Sequence, residues 1–315
     1  VTAATLASPS RDGGRLAWAA WAAVCVIWGT TYLAIKVALD TVPPFLMGGL
    51  RYGAAGLLLA IVLRLRGQAL PPVSEWKTLA VLAVFMLLLG NGGVVWGEQY
   101  VPSGLTAVLI ATSPFWMVTV DALITKGHPL HWRQWLGLVI GFLGIVLLVW
   151  PDLVGSIRGA GASWGVIGGL LAVQVACVGW AIGSTYTRLH VMPKDVLGAA
   201  SLQMIFGGLY MLCTGTLLGE WHALSFTPTT TAAMLYLGLA GSVVAFAAYS
   251  YALQHLDLAV VSLYTYINPI IAVALGTVLL GEPFHLRMLA AGGVIVLGIV
   301  TVGPVSKETR EATRA

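Results

Sequence analysis

The sequence reads "GHPLHWR" at Gly127–Arg133 and "GEPFHLR" at Gly281–Arg287. Gly, Pro, His and Arg recur in the same register, 154 residues apart. A phrase stated twice points to a duplicated unit, and the composition around it says what kind. The chain has 315 residues, 58% hydrophobic and 9% charged, with a mean hydropathy of +0.91. A soluble domain carries roughly 25% charged residues. This chain lacks the polar side chains to cover a surface facing water, and it holds more apolar ones than one core buries. Lipid is therefore its solvent.

A helix crossing a bilayer needs about 20 mostly apolar residues. Ten runs meet that need: 16–36, 45–63, 78–97, 103–125, 132–150, 163–187, 196–218, 231–253, 258–280 and 286–303. The breaks between them, such as "DTVPP", "RLRGQALPP", "HVMPKD" and "SFTPTT", carry turn chemistry. Strands of a membrane barrel would alternate apolar and polar residues. "LAVLAVFMLLLG" and "MLAAGGVIVLGIV" are apolar on every face. The expected fold is an all-α polytopic membrane protein with ten transmembrane helices. It divides into a tail at 1–15, a first half at 16–150, a linking loop at 151–162, a second half at 163–303 and a tail at 304–315.

Basic residues orient the chain. With the N-terminus inside, the inner segments carry Arg11, Arg15, Arg64, Arg66, Lys77, Lys126, Arg133, Arg188, Lys194, Lys307, Arg310 and Arg314. The outer segments carry Lys36, Arg158 and Arg287, and Arg51 falls within a span. This bias predicts cytoplasmic termini. The net charge of +4 then reflects topology and calls for no nucleic-acid partner. Arg11 and Arg15 before an apolar run resemble a signal peptide, but the run is long and nine more follow, so it is read as a retained helix. Cys25, Cys177 and Cys213 all fall inside spans and imply no disulfide framework.

Ten spans split into five and five. Five is odd, so the second half begins on the opposite side of the membrane and the two halves form inverted repeats. "VCVIW" at Val24–Trp28 matches "ACVGW" at Ala176–Trp180, offset by 152. "LGIV" at Leu143–Val146 recurs at Leu297–Val300, and Ser113-Pro114 aligns with Asn268-Pro269. Inverted repeats suit alternating access, in which two equivalent packings open to either side. A static duplicated bundle and a channel are the other readings of such a repeat.

Trp28-Gly29-Thr30-Thr31-Tyr32 in the first span, "PPFLMGGLRYGAAGLLL" with Arg51-Tyr52 in the second, and "NPIIAVALGTVLLGEPF" followed by "GGVIVLGIV" in the last two carry a resemblance. The chain resembles the EamA branch of the drug/metabolite transporter superfamily over about residues 16–303, and within it most resembles the YddG-type bacterial amino-acid exporters. The resemblance implies ten helices in two inverted halves, a central cavity, a bacterial inner-membrane location, and export of small metabolites from the cytoplasm. Where the second half has Gly281-Glu282, the first has Gly127-His128, so a role of Glu282 need not recur at His128.

Polar residues inside the spans are the candidate site, because they are costly in lipid. Ser113-Pro114 and Asn268-Pro269 fall mid-span. Proline supplies no N–H and disturbs the carbonyl four residues earlier, so Ile110 and Thr265 each offer a carbonyl to substrate, water or a neighbour. The other reading is a packing kink. Asn91 lies between glycines and lines a cavity or bonds a neighbouring helix. Trp28, Thr31, Tyr264 and Tyr266 complete the expected pathway, with Tyr249 and Tyr251 as further phenols; for the repeat-related Trp28 and Trp180 core packing is the favoured reading. Arg51 binds a substrate carboxylate or serves structure, and the resemblance favours structure. Gln203, 152 residues on, is its counterpart. Gly137/Gly141, Gly165/Gly169, Gly179/Gly183 and Gly215/Gly219 are small-xxx-small pairs that let helices approach. No acid lies at a span centre, which argues for exchange or uniport over proton antiport.

Enzymatic signals are weak. "GASWG" at Gly161–Gly165 fits G-x-S-x-G, but a nucleophile elbow needs a strand before it. No zinc-protease or paired-cysteine motif and no phosphate-binding loop occurs. The expected function is a secondary transporter exporting amino acids, aromatic or other neutral ones included, or similar metabolites. A multidrug or nucleotide/sugar-type carrier is the alternative within transport, and an intramembrane enzyme the alternative outside it. No catalytic residue, metal or cofactor is expected. The expected partners are a small-molecule substrate and the lipid bilayer; the oligomeric state is open, a monomer included.

Overall fold

The computed structural model describes residues 11–124, 164–190, 196–256, 260–261, 264–282 and 284–302, with isolated positions between 132 and 150. Among the described residues every regular element is helical. These are α1 (Arg11–Ala38), α2 (Pro44–Leu65), α3 (Val73–Gly97), α4 (Ser103–Ile110), α5 (Ser113–Ile124), α6 (Trp164–His190), α7 (Val196–Leu217), α8 (Pro228–His255), α9 (Tyr264–Leu280) and α10 (Leu286–Val302). Seven described segments are long and apolar enough to cross a membrane, and two shorter apolar helices follow at Ile267–Leu280 and Leu286–Gly298. The run expected at 132–150, the first copy of the repeated phrase and the loop at 151–162 lie outside the described residues, isolated positions apart.

Two of the expected spans are not plain α-helices. Inside α3, Val84–Asn91 winds as a π-helix, and inside α8, Leu237–Val244 does the same. The two segments have equal length and start 153 residues apart. A third span is broken: α4 ends at Ile110, and α5 begins at Ser113 with Pro114 in its first turn, where a missing N–H costs nothing. The ninth span differs from the expected matching break. α9 runs on through Pro269.

Lipid tails are as apolar as leucine, so helices in a bilayer associate by close packing more than by burial of oil. The α2–α7 contact is built that way. A Cβ on Gly208 would lie 2.4 Å from the nitrogen of Gly53, and one on Gly56 would lie 2.7 Å from the Ser201 carbonyl oxygen. α6 crosses α3 in the same manner: a Cβ on Gly97 would stand 2.9 Å from the Gly169 carbonyl oxygen, and one on Gly179 2.7 Å from that of Phe85. α1 packs between α8 and α9, and α4 lies against α9. Gly219 belongs to a different class from the other expected packing glycines. It adopts φ 71° and stops the chain just past α7.

Two glutamates that hydropathy assigns to loops cap helices. Glu220 accepts from the backbone N–H of Phe45 (3.3 Å) and Leu46 (2.8 Å) at the start of α2. Glu282 accepts from the N–H (3.0 Å) and hydroxyl (2.8 and 2.9 Å) of Ser103 and the N–H of Gly104 (3.1 Å) at the start of α4. The first turn of a helix leaves four N–H groups unpaired and carries partial positive charge, so a carboxylate suits it. Each acid sits against a glycine. A Cβ on Gly215 would lie 2.8 Å from Glu220 Oε2, and one on Gly276 2.4 Å from Glu282 Oε2. Gly281, at φ 64°, turns the chain so that Glu282 reaches back. Thr41 and Ser225 exchange two hydrogen bonds, which places the α1–α2 and α7–α8 connections at one end of the bundle.

Candidate functional site

Trp28, Thr31, Tyr32 and Ile35 follow a spacing of three, four and seven, so they share one face of α1. That face borders a cavity. Opposite it stand Ala176, Cys177 and Trp180 of α6 and Tyr264 and Asn268 of α9. Arg51 from α2, Gly90, Asn91 and Val94 from α3, and Ile110 and Ser113 from the α4–α5 break complete the wall. Among these residues there is no Asp, Glu, Lys or His.

An aromatic cluster forms one side. The Trp28 ring meets those of Trp180 (5.5 Å between centroids, 83° apart), Tyr249 (5.1 Å) and Tyr264 (5.1 Å). Edge-to-face rings attract through their quadrupoles. Three of the four polar ends are tied down: Trp28 Nε1 donates to the Gly241 carbonyl (3.1 Å), Trp180 Nε1 donates to the Tyr249 hydroxyl (3.2 Å), and that hydroxyl shares a bond with Ser184 (2.9 Å). The cluster is a preformed apolar wall held by its own hydrogen bonds.

The polar side is looser. Thr31 Oγ1 donates to the Trp28 carbonyl (2.8 Å), and Asn91 Nδ2 donates to the Met86 carbonyl (3.4 Å) across the π-helical turn. With its amide assigned the orientation that its neighbours require, the Asn268 nitrogen donates to the carbonyls of Tyr264 (3.0 Å) and Cys25 (2.9 Å), tying α9 to α1. Pro114 has no N–H to give the Ile110 carbonyl, and Ile110 lines the cavity. The two π-segments both reach this region. Asn91 ends the first and lines the cavity, while Ser242 of the second accepts from Arg51 Nε (2.6 Å). Single π turns recur at functional sites in helices.

Of the residues expected at the site, Trp28, Thr31, Asn91, Ser113, Tyr264, Asn268 and Arg51 line this one cavity. Pro114 and Pro269 adjoin lining residues without lining it. Gln203 is buried in α7, at 3% exposure, and is absent from the lining. The Tyr266 side chain lies outside the described residues. Tyr249 supports the wall from behind, and Tyr251 stacks on His255 instead (4.0 Å between centroids). Tyr32, Cys177 and Trp180 line the cavity although the sequence reading had not placed them there. The helical spacing from Trp28 would have found Tyr32, and the 152-residue match would have found Trp180.

Glu98 stands one residue beyond the span of α3 and is fully buried. Lys36 Nζ donates to its main-chain oxygen (2.7 Å), and both carboxylate oxygens lack partners. Burial pushes this carboxyl well above the usual carboxylate range, against a smaller downward pull from Lys36.

Comparison with known proteins fits this architecture. The model of the EamA-like transporter family matches twice, at residues 16–150 and 167–303. An uncharacterized inner membrane transporter of Escherichia coli K12, YedA, is 35% identical over 283 residues, covering 89% of this chain and 88% of its own. An uncharacterized transporter of Bacillus subtilis, YvbV, is 28% identical over 287 residues, covering 91% of each. A solved crystal structure shares the fold, with a TM-score of 0.64 at 20% identity over 93% of this chain and 98% of that one. The chain belongs to the EamA-like transporter family.

Proposed function

We propose that the chain is a secondary transporter that exports amino acids or similar small metabolites by alternating access between two inverted halves, 16–150 and 163–303. The observation that carries this reading is the meeting of Trp28 and Trp180 at a cavity wall. They are the corresponding tryptophans of the two matched segments, which supports reading the cavity as the seam between the halves. The double family match supports the duplication. So do the two π-segments of equal length in the third helix of each half. Opposite senses for the first helices of the halves are supported by two contacts: Lys36 near the end of α1 bonds Glu98, and Gly169 near the start of α6 packs on neighbouring Gly97. Cytoplasmic termini follow from the basic residues.

An aromatic wall beside amide, hydroxyl and guanidinium groups suits a small solute with a polar head and an apolar body. Lipophilic cations, which a multidrug carrier handles, would find no carboxylate among the described lining residues. The test is counterflow in proteoliposomes preloaded with unlabelled amino acids. Labelled leucine, phenylalanine or another member of the panel is expected to accumulate above the level in empty liposomes. If none of the panel does, the amino-acid assignment fails.

A further inference from the structure

Arg51 sits in the eighth position of a 22-residue membrane helix with 4% of its surface exposed. A cation in that position is costly unless something of opposite charge answers it. Its known partners are neutral. Nε donates to the Ser242 hydroxyl (2.6 Å), which in turn donates to the Leu237 carbonyl (3.1 Å), and the guanidinium lies over the Tyr52 ring at 4.6 Å. Nη1 is buried with no acceptor. Both Glu98 carboxyl oxygens are also without partners, so Glu98 and Arg51 do not bond.

The Ser242 contact does more than consume one N–H. It fixes the plane of the guanidinium by its inner nitrogen and leaves the outer pair unengaged. That outer pair is the fork that matches a carboxylate with two parallel hydrogen bonds. Arg51 lines the cavity, and no acid lines it with Arg51 among the described residues. The charge is therefore held and oriented, with no ion pair, at the edge of a space bounded by Trp28, Tyr264 and Trp180.

We propose that Arg51 is the anchor for the anionic group of the solute, and that the cavity takes monocarboxylates whose remainder is apolar or aromatic. This rests on reading the cavity as the transport site. Ser242 is the positioning residue, aiming the guanidinium without touching the solute. Gln203, 152 positions on, is neutral and does not line the cavity, so the anchor is one-sided and matches a single anionic group. A zwitterionic amino acid fits the class, with its ammonium toward the Asn91 amide oxygen or the Ile110 carbonyl.

The test compares acids with their amides, which keep shape and lose charge. The full chain, purified and placed in lipid nanodiscs, is melted with 3-phenylpropionate, phenylalanine or leucine, and with the primary amide of each. The wild type is expected to be stabilised by at least one acid, with its amide requiring about 10-fold or more higher concentration for the same shift. Arg51→Gln is expected to abolish that preference and Arg51→Lys to restore part of it. A wild type that no acid stabilises more than its amide overturns the proposal, as does a folded Arg51→Gln that keeps the wild-type ratio. Should Arg51→Gln not fold, Asn91→Asp decides: an acid inside the cavity is expected to weaken carboxylates about 10-fold relative to amides, and an unchanged ratio overturns the anchor. Proteoliposomes separate the two levels of failure. Amides that accumulate as fast as acids leave the transporter standing without its anchor. Solutes that bind with the acid preference yet never accumulate leave the anchor standing without transport.

Discussion

Gly208 faces the backbone of Gly53 so closely that a Cβ on Gly208 would lie 2.4 Å from the Gly53 nitrogen, whereas a Cβ on Gly53 would meet nothing within 4 Å. The contact between α2 and α7 is thus asymmetric, although both sides are glycine. Gly208→Ala has no flexible side chain to displace and must push the helices apart. It is expected to cost about 1–3 kcal/mol, while Gly53→Ala, in the middle of a helix, is neutral or slightly stabilising. Thermal denaturation of the two purified variants checks this, and equal melting temperatures would contradict the packing described.

Glu282 and Glu220 are expected to matter for folding in proportion to the N–H groups they hold. Glu282→Ala leaves two backbone N–H groups and the Ser103 hydroxyl at the start of α4 without their acceptor. Charge-assisted caps of this kind contribute about 1–3 kcal/mol. Lower folded yield and a lower melting temperature are expected, with Glu282→Gln intermediate. A Glu282→Ala protein that melts like the wild type would remove the capping role.

Glu98 gives a pH signature. Its folded-state pKa is raised by burial, so the folded protein holds its proton at pH values where the unfolded chain has released it. Its share of stability is complete below the unfolded carboxylate pKa and is lost as pH rises toward the folded one. Between about pH 5 and about pH 9 the wild-type melting temperature is expected to fall relative to Glu98→Gln, with the gap widest at the alkaline end. Parallel curves for the two proteins would show that the carboxyl is paired.

Asn268 and Pro269 separate structure from transport. The Asn268 amide, with its nitrogen facing the carbonyls of Tyr264 and Cys25, joins α9 to α1, so Asn268→Ala removes that link and costs about 0.5–1.5 kcal/mol. Pro269 lies within an unbroken helix, and alanine there restores an N–H. Pro269→Ala is expected to keep folded yield and to slow counterflow, whereas Asn268→Ala is expected to lower both. The measurements are size-exclusion recovery and initial uptake rate on the same preparations.

The features legible in the sequence are those that repeat locally or by period. Apolar runs mark the membrane helices because lipid demands them, and the match of "VCVIW" with "ACVGW" marked Trp28 and Trp180 before their rings were seen to touch. Seven residues named as the site or its edge proved to share one cavity. What escaped has a common physical origin. The caps of Glu220 and Glu282 join residues 174 to 179 positions apart, and hydropathy reads an acid between apolar runs as solvent-facing. The π-segments hide because a run that is apolar on every face keeps no record of its period. Nothing in the local sequence joins Arg51 to Ser242, since the two meet only when α2 passes the π-segment of α8.

The most direct measurement takes one cavity position and asks which side of the membrane reaches it. Asn91→Cys, in a chain whose Cys25, Cys177 and Cys213 are replaced by serine or alanine, is labelled with a membrane-impermeant thiol reagent from outside and, in inverted vesicles, from inside. Two inverted halves rocking about the Trp28–Trp180 seam predict labelling from both sides, slowed on both by a transported solute. Labelling from one side alone, unaffected by any solute that the protein moves, would contradict the account.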